Sequence, residues 1–228
     1  MKMKTAEFDT ETSLRRKVEG AFSKLCQSVS HSPDKVFDDL LEFIVHGFCL
    51  NAEPMKDWKY TPEQTAAFKE MFSTLVLSMQ EILQTRGWYD FLGGIYEMQV
   101  AGKWRKSGCG QFFTPISVCD FMAAITAPDA KGGQESISDP CSGSGRTLLA
   151  GHAHNPKAFL YAMDLDRTCC LMTLVNFLMH GCSGRVIHGD SLKNEAWEAW
   201  AVNPQINMEG SALRGIPHIV KLAVEKAA

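Results

Sequence analysis

The chain of 228 residues is long enough for one ordinary domain, or for one domain with an additional segment. Its 45% content of hydrophobic residues is typical of a folded globular protein, and its net charge of −3 excludes a basic surface over the whole molecule. Binding of nucleic acid would therefore need a partner or a local patch such as the one around Trp104 in GKWRKSG. A solvated loop is the other interpretation of that segment.

The eight cysteines are not spaced as zinc ligands or as a disulfide framework, because no CxxC pair occurs and Cys169 and Cys170 are adjacent. Free thiols that pack as small hydrophobic side chains in a reducing compartment are the simplest interpretation. The N-terminus lacks the apolar segment of an export signal, and no apolar run reaches the ~18 residues that span a membrane. We therefore expect a cytoplasmic protein with no membrane contact and no metal site.

Residues 1–107 have the punctuation of helices and predict an all-α region. The first helix is expected after Thr12, with an apolar face formed by Leu14, Val18, Phe22 and Leu25. A second helix is expected after the pair Ser32–Pro33, where serine caps the helix and proline takes its first position.

The same pair of signals predicts the start of a third helix. Thr61 precedes Pro62, and Gln64 stands at the spacing of a capping box. This helix is expected to end at Gly87, and a fourth is expected over YDFLGGIYEMQVA.

Residues 108–228 alternate between strand and helix patterns. The segments ESISD, AFLYAMDLD and GRVIHGDS are predicted strands, and the segments RTLLAGHAH and RTCCLMTLVNFLMHG between them are predicted helices. A further helix is expected over TPISVCDFMAAIT, capped by Thr114. This alternation predicts parallel β-α-β units with right-handed crossovers, which form half of a doubly wound sheet.

A glycine turn follows the first predicted strand in the segment DPCSGSGRTLLAG. Gly143 and Gly145 allow a sharp turn there and could let a ligand lie against the backbone. The turn is not a P-loop, because no Gly-Lys-Ser/Thr follows, and Leu148 occupies the third glycine position of the dinucleotide pattern. A plain tight turn is the alternative interpretation.

Two aspartates close the next two predicted strands, at the edge where ligands bind in open α/β sheets. Asp164 stands where an acid accepts hydrogen bonds from ribose hydroxyls, and Asp190 stands where an acid can accept a hydrogen bond from an adenine amino group. Taken singly, each aspartate could simply cap a loop, and Asp166 is expected to cap the following helix. Together with the glycine turn they predict an adenosine pocket without a phosphate cradle, which favours S-adenosyl-L-methionine as the cofactor.

Four segments between about residues 108 and 192 resemble consecutive motifs of the adenine-methylating subunits of type I restriction–modification systems and their relatives. They are GQFFTPISVCDFMA, DPCSGSGRTLLA, AMDLDRTCCLMTLVNFLMHG and VIHGDSL. The resemblance implies a class I S-adenosylmethionine-dependent methyltransferase domain with a Rossmann-like parallel sheet over residues 108–228, following a helical region. The implied reaction is methyl transfer to the N6 amino group of adenine in DNA.

The resemblance also implies where the cofactor would bind. Thr114 and Pro115 would lie near its methionine end, and Asp139 with the turn would hold its amino-acid part. Asp164 and Asp190 would bind the ribose and the adenine. The cofactor-binding residues implied in this way are Thr114, Pro115, Asp139, Cys141, Ser142, Gly143, Gly145, Asp164 and Asp190.

The family's catalytic motif, Asn/Asp-Pro-Pro-aromatic, has only a partial counterpart in AWAVNPQINMEG. Asn203 and Pro204 match its first two positions, whereas Gln205 and Ile206 replace the second proline and the aromatic residue. Asn203 and Pro204 are therefore candidate catalytic residues, and an ordinary Asn-Pro turn after a weak four-residue strand is the alternative.

The segment after Pro204 is short for this family, since 24 of the 228 residues remain, and GIPHIVKLAVEKAA is expected to form one helix. The predicted sheet would be incomplete on that side, and a protein partner could cover its unpaired edge. DNA would be reached through a separate specificity subunit or a missing recognition region. The alternatives to an active enzyme are a catalytically impaired relative that acts as a cofactor-binding, regulatory or decoy module, and a truncated methyltransferase.

Overall fold

The computed structural model describes residues 2–55, 58–100, 112–126 and 135–224. The expected boundary between residues 107 and 108 and the basic segment around Trp104 lie outside these described ranges. The chain forms two compact units, one of Met1–Phe43 with Met55–Phe112 and the other of Ile44–Pro54 with Phe113–Ala228.

The first unit is helical, as the sequence predicts. Its helices are α1 (Lys2–Val29), α2 (Pro33–Phe48, whose last residues belong to the second unit), α3 (Pro62–Ile82) and α4 (Phe91–Ile95), and a π-helical turn over Tyr96–Val100 continues α4. None of the helices within the described ranges is long and apolar enough to cross a lipid bilayer.

Local signals explain where these helices begin. The capping box at Thr61 is confirmed, because the Thr61 side chain accepts the Gln64 N–H at 3.3 Å and the Gln64 side chain accepts the Thr61 N–H at 3.0 Å. Two ends differ from expectation: α1 begins well before Thr12, and α3 ends at Ile82 instead of Gly87. An ion pair of 2.9 Å joins Arg86 to Glu11, which lies in the part of α1 that precedes Thr12.

The core of the helical unit lies along the predicted apolar face of α1. That face is confirmed, since its four side chains are at most 4% exposed: Leu14, Val18, Phe22 and Leu25. Facing side chains of α2 and α3 are equally buried, among them Phe37, Leu40, Phe68, Met71 and Leu75. Burying a large apolar side chain contributes roughly 1.5–3 kcal/mol, so this contiguous stripe accounts for much of the stability of the unit.

The second unit is built on a mixed five-stranded sheet in the order β1-β2-β3-β4-β5. The strands are β1 (Ser136–Asp139), β2 (Phe159–Asp164), β3 (Gly184–Asp190), β4 (Glu195–Val202) and β5 (Ile219–Leu222), and the helices are α5 (Ile116–Thr126), α6 (Arg146–His154) and α7 (Arg167–His180). The three predicted strands are confirmed as parallel neighbours, because β1 pairs with β2 and β2 pairs with β3 in parallel.

The sheet departs from the expected all-parallel arrangement after β3. A turn at residues 191–194 returns the chain as β4, which is antiparallel to β3 and twice as long as the expected four-residue strand. The expected C-terminal helix is wrong: the segment that follows Pro217 forms β5, antiparallel to β4. Ile219 is fully buried opposite Val202, and this burial, with the β preference of branched side chains, outweighs the helical pattern of the segment.

Helices α6 and α7 cover the same face of the sheet. Two right-handed crossovers that move in one direction along a parallel sheet must lie on one face. Leu160, Ala162 and Val186 point toward these helices and are buried, whereas Tyr161 and Arg185 point to the other face and are exposed. In a doubly wound fold, helices cover the second face of the sheet because the order of the strands reverses partway across it. In this chain the reversal is replaced by the return of the chain as the antiparallel strand β4.

The outer edge of β5 is paired with the segment that follows α2. The Leu50 N–H donates to the Ile219 carbonyl at 2.9 Å. The Asn51 side chain contacts the Lys221 backbone twice, its amide donating to the carbonyl and its oxygen accepting the N–H, each at 2.9 Å. A strand edge that the sequence left unpaired is therefore covered on this side, and β1 is the other edge strand of the sheet.

Candidate active site at the carboxyl edge of the sheet

Three carboxylates end three neighbouring parallel strands. Asp139 ends β1, Asp164 ends β2 and Asp190 ends β3. Asp139 pairs with Ala162, and Asp164 pairs with His188, so all three strands terminate at one edge of the sheet. The structure thus brings together, at one edge, the three acids that the sequence predicts in one pocket.

The glycine turn joins β1 to α6 and needs glycine for two reasons. Gly143 and Gly145 have φ values of +55° and +86°, which only glycine adopts readily. A Cβ on Gly143 would lie 2.9 Å from the Phe113 ring, and one on Gly145 would lie 3.2 Å from the Thr173 side chain. The space that a side chain would occupy at these two positions is therefore filled by residues of this chain, so the glycines are needed for packing as well as for the turn.

Asp164 links the turn to the end of β2. Its Oδ2 accepts the Gly143 N–H at 2.8 Å, and its Oδ1 accepts the Asp166 N–H at 2.9 Å. The Ser142 N–H donates to the Met163 carbonyl at 2.9 Å beside them. A carboxylate can accept about four hydrogen bonds, so the half-buried Asp164 keeps acceptor capacity for two ligand hydroxyls. This donor and acceptor set fits a ribose.

Two side chains of helix α7 hold the glycine turn by hydrogen bonds. The Thr173 hydroxyl donates to the Gly143 carbonyl at 2.9 Å, and the buried Asn176 amide donates to the Ser144 carbonyl at 2.8 Å. These two residues were not identified from the sequence, because their pattern in RTCCLMTLVNFLMHG is that of an ordinary buried helix. Their hydrogen bonds fix the turn in one conformation before any ligand arrives, which lowers the entropy lost on binding.

Asp139 and Asp190 both bind their own loops. Asp139 accepts the Cys141 N–H at 3.0 Å and the Thr147 hydroxyl, and Cys141 is exposed beside it. Asp190 accepts the N–H groups of Leu192 and Lys193 at 3.0 and 3.2 Å and forms an ion pair of 3.1 Å with the Lys193 ammonium. The hydrogen bond from the Lys193 side chain and those from the backbone lower the pKa of Asp190 below its ordinary value. Each aspartate is therefore already oriented by its own loop.

The segment before α5 lies against the turn. The Thr114 carbonyl is 3.4 Å from Nη1 of the buried Arg146, whose guanidinium lies 5.3 Å from the centre of the Phe113 ring. Pro115 is exposed, and α5 begins directly after it. Arg146, which the sequence did not single out, therefore connects the FFTP segment to the first turn of α6.

A cavity of about 430 Å³ lies between α5, β1 and α6. Asp139, Thr147 and Met122 are among the residues that line it, and Asp164 and Asp190 are not. The cavity lies beside the carboxyl end of β1, on the side of this edge strand that faces away from β2.

Asn203 and Pro204, the expected catalytic pair, lie at the opposite edge of the sheet. They follow β4, which is antiparallel, so its end lies beside Gly184 at the start of β3. Asn203 is fully buried, with φ +51°; its amide donates to the Cys182 carbonyl and its oxygen accepts the His218 N–H, each at 2.9 Å. The structure does not bring Asn203 or Pro204 together with the three carboxylates, because β4 is antiparallel to β3 and therefore ends at the opposite edge of the sheet.

A charged cluster beside β3 was also missed from the sequence. Glu198 binds the Arg167 guanidinium at 2.5 Å and the Lys221 ammonium at 2.9 Å, and its Oε2 lies 3.6 Å from His188 Nδ1. Burial raises the pKa of Glu198, but the two cationic partners outweigh burial and hold this pKa below its ordinary value of 4.5. These residues are separated by up to 54 positions along the chain (167 to 221), so only the strand register reveals the cluster.

Comparison with known proteins adds one match. A sequence profile of the N-6 DNA methylase family matches residues 88–209, which is 122 of the 228 residues. The matched range includes the glycine turn, the three carboxylates and Asn203. No solved structure matches the chain. Since the profile covers more than half of the sequence, the chain belongs to the N-6 DNA methylase family.

Proposed function

We propose that the chain binds S-adenosyl-L-methionine at the carboxyl edge of β1, β2 and β3, in a fold related to the class I, Rossmann-like methyltransferases. The observation that carries this proposal is the 2.8 Å hydrogen bond between Asp164 and the Gly143 N–H. It joins the turn after one strand to the carboxylate of the next, at the edge where open α/β sheets bind nucleosides.

Each residue at this edge has a proposed role. Asp164 accepts hydrogen bonds from the ribose hydroxyls, and Asp190 accepts one from the adenine amino group. Asp139 and the turn from Cys141 through Ser142 to Gly145 hold the amino-acid part. Thr114 and Pro115 lie near the methionine end. When bound, the cofactor would supply a methyl group on a positively charged sulfonium.

The proposed acceptor is the N6 amino group of adenine in DNA, in a reaction of the restriction–modification type. This follows from membership of the N-6 DNA methylase family and from the type I motif series. With a net charge of −3, the chain is proposed to reach DNA through a separate specificity subunit or a recognition region outside these residues. A protein partner is proposed to cover the incomplete sheet, and the free thiols of the seven cysteines in the described ranges favour the cytoplasm.

A second candidate function is a cofactor-binding module without methyl transfer. The location of Asn203 favours it, because its amide is committed to two buried hydrogen bonds at the far edge of the sheet. A residue held in this way is not available to accept hydrogen bonds from a target adenine.

Calorimetry with S-adenosyl-L-methionine tests the binding proposal. We expect binding by the wild type and at least a tenfold loss in Asp164→Ala and in Asp190→Ala, with no change in the control Glu209→Ala, whose side chain is exposed after β4. Equal affinity in all four proteins would refute the assigned pocket. Transfer of a labelled methyl group to duplex DNA then separates the two functions, since the module binds the cofactor and transfers no label.

A further inference from the structure

The hairpin between β3 and β4 contains a β-bulge. His188 pairs with Glu198 and Gly189 pairs with Ala196, so Trp197 is the additional residue on β4. Gly189 permits this arrangement, because a Cβ there would lie 2.1 Å from the Glu195 carbonyl oxygen. A bulge bends its strand and redirects a side chain, and bulges are frequent beside active sites.

The bulge turns Trp197 toward solvent on a rigid support. Trp197 is 46% exposed, whereas Trp200 in the same strand is 3% exposed. Its ring centre lies 4.9 Å from that of His188 at an interplanar angle of 81°, which is an edge-to-face contact. Such a contact occupies at most one face of the indole, and nearly half of the side chain remains exposed.

Trp197 lies toward the edge of the sheet that carries the three aspartates, and not toward the opposite edge, where Asn203 lies. His188, which supports it, pairs with Asp164 on its other side. Neighbouring strands are about 4.8 Å apart, so Trp197 lies two strands, or about 10 Å, from Asp164. Arg167 and Lys221 flank Glu198 beside it, and their side chains are 40% and 53% exposed.

We propose that Trp197 is a purine-stacking residue of the candidate site, an inference that takes the position of that site from the proposed function. An exposed indole beside acceptors for hydroxyl and amino groups matches the two parts of a purine nucleoside: a flat aromatic base and polar edges. The ligand chemistry is an adenine ring, which could come from the cofactor or from a DNA strand. The neighbouring Arg167 and Lys221 would also attract the phosphates of a DNA strand.

The test uses the full chain and two probes, S-adenosyl-L-methionine and an adenine-containing single-stranded oligonucleotide. Affinities are measured by calorimetry for the wild type, Trp197→Leu, Trp197→Phe and the control Leu192→Ala, whose side chain is 98% exposed on the same hairpin. Loss of base stacking predicts a roughly 5- to 150-fold weaker affinity for Trp197→Leu with at least one probe. Trp197→Phe keeps an aromatic face and should stay within about threefold of the wild type, and Leu192→Ala should bind like the wild type.

Tryptophan fluorescence gives a second readout that does not depend on Trp197→Leu folding. Ligand should quench the emission of the wild type, and Trp197→Phe should bind the ligand with this quenching lost. The inference is overturned if Trp197→Leu binds both probes within twofold of the wild type, if quenching is unchanged in Trp197→Phe, or if Leu192→Ala weakens binding as much as Trp197→Leu does. The probe whose affinity falls identifies the source of the adenine.

The two proposals fail in different ways. If Asp164→Ala loses the cofactor while Trp197→Leu keeps both ligands, the proposed function stands and the stacking role does not. If the wild type binds only the oligonucleotide, and does so through Trp197, the stacking role stands and the cofactor proposal does not. Absence of binding to either probe overturns both.

Discussion

Replacing Asn203 with alanine tests whether this residue belongs to the fold. The substitution removes both side-chain hydrogen bonds and leaves the Cys182 carbonyl and the His218 N–H unpaired in the interior. Each orphaned group costs ~1–3 kcal/mol. The left-handed backbone at φ +51° adds about 1 kcal/mol for alanine. We therefore expect the free energy of unfolding to fall by about 3–7 kcal/mol, a large part of the ~5–15 kcal/mol typical of a domain.

Urea unfolding followed by circular dichroism measures this loss, and two variants isolate its causes. Asn194→Ala changes another asparagine with positive φ, 57°, in an exposed turn, and should lose only about 1 kcal/mol. Pro204→Ala changes the exposed neighbour and should stay within about 0.5 kcal/mol of the wild type. If Asn203→Ala unfolds at the same urea concentration as the wild type but loses methyl transfer, the structural role argued here is refuted and the catalytic interpretation of the motif is restored.

Three further predictions test other parts of the fold. Gly189→Ala should destabilise the chain by at least about 2 kcal/mol, because its Cβ meets backbone at 2.1 Å, whereas Gly20→Ala on an open helix surface should stabilise it by ~0.5–1 kcal/mol; equal unfolding midpoints would contradict the bulge geometry. Thr61→Ala should cost about 1 kcal/mol through the lost capping box, and an unchanged thermal midpoint would show that the cap is dispensable. Glu198→Gln should alter the pH dependence of unfolding. The carboxylate has a lower pKa in the folded chain than in the unfolded chain, so it stabilises the fold above about pH 4.5 and this contribution disappears as the pH falls through the lower folded value. Parallel stability curves for Glu198→Gln and the wild type from about pH 6 to about pH 3 would contradict this assignment.

Short-range signals in the sequence were sufficient for most of the elements. The capping residues at Thr61 and Asp166 act on N–H groups two or three positions away, and both caps are present in the structure. The alternation of strand and helix before residue 190 predicted parallel pairing. The helix runs back along the sheet as a crossover, so the next strand takes the same direction as the one before it. These rules depend on neighbouring residues, which a sequence displays directly.

The candidate site was predictable in part for the same reason. Once β1, β2 and β3 are parallel neighbours, Asp139, Asp164 and Asp190 must reach one edge, whatever the rest of the chain does. The sequence did not show that Phe113 and Thr173 fill the space above the glycines, since those contacts join segments about 30 residues apart. It also did not show that Asp164 itself binds the turn.

The direction of β4 could not be predicted from the sequence, and it determines which side chains lie near the three aspartates. The segment before Asn203 can pair in parallel with one strand or antiparallel with another, and its own composition does not distinguish the two. The hairpin at residues 191–194, the close approach at Gly189 and the pairing with β5 favour the antiparallel choice. That choice moves Asn203 to the far edge and brings Trp197 to the carboxyl edge. The sequence alone therefore determined the local elements and the three acids, and only tertiary pairing, which depends on hydrogen bonds between distant segments, decided which other side chains share their edge.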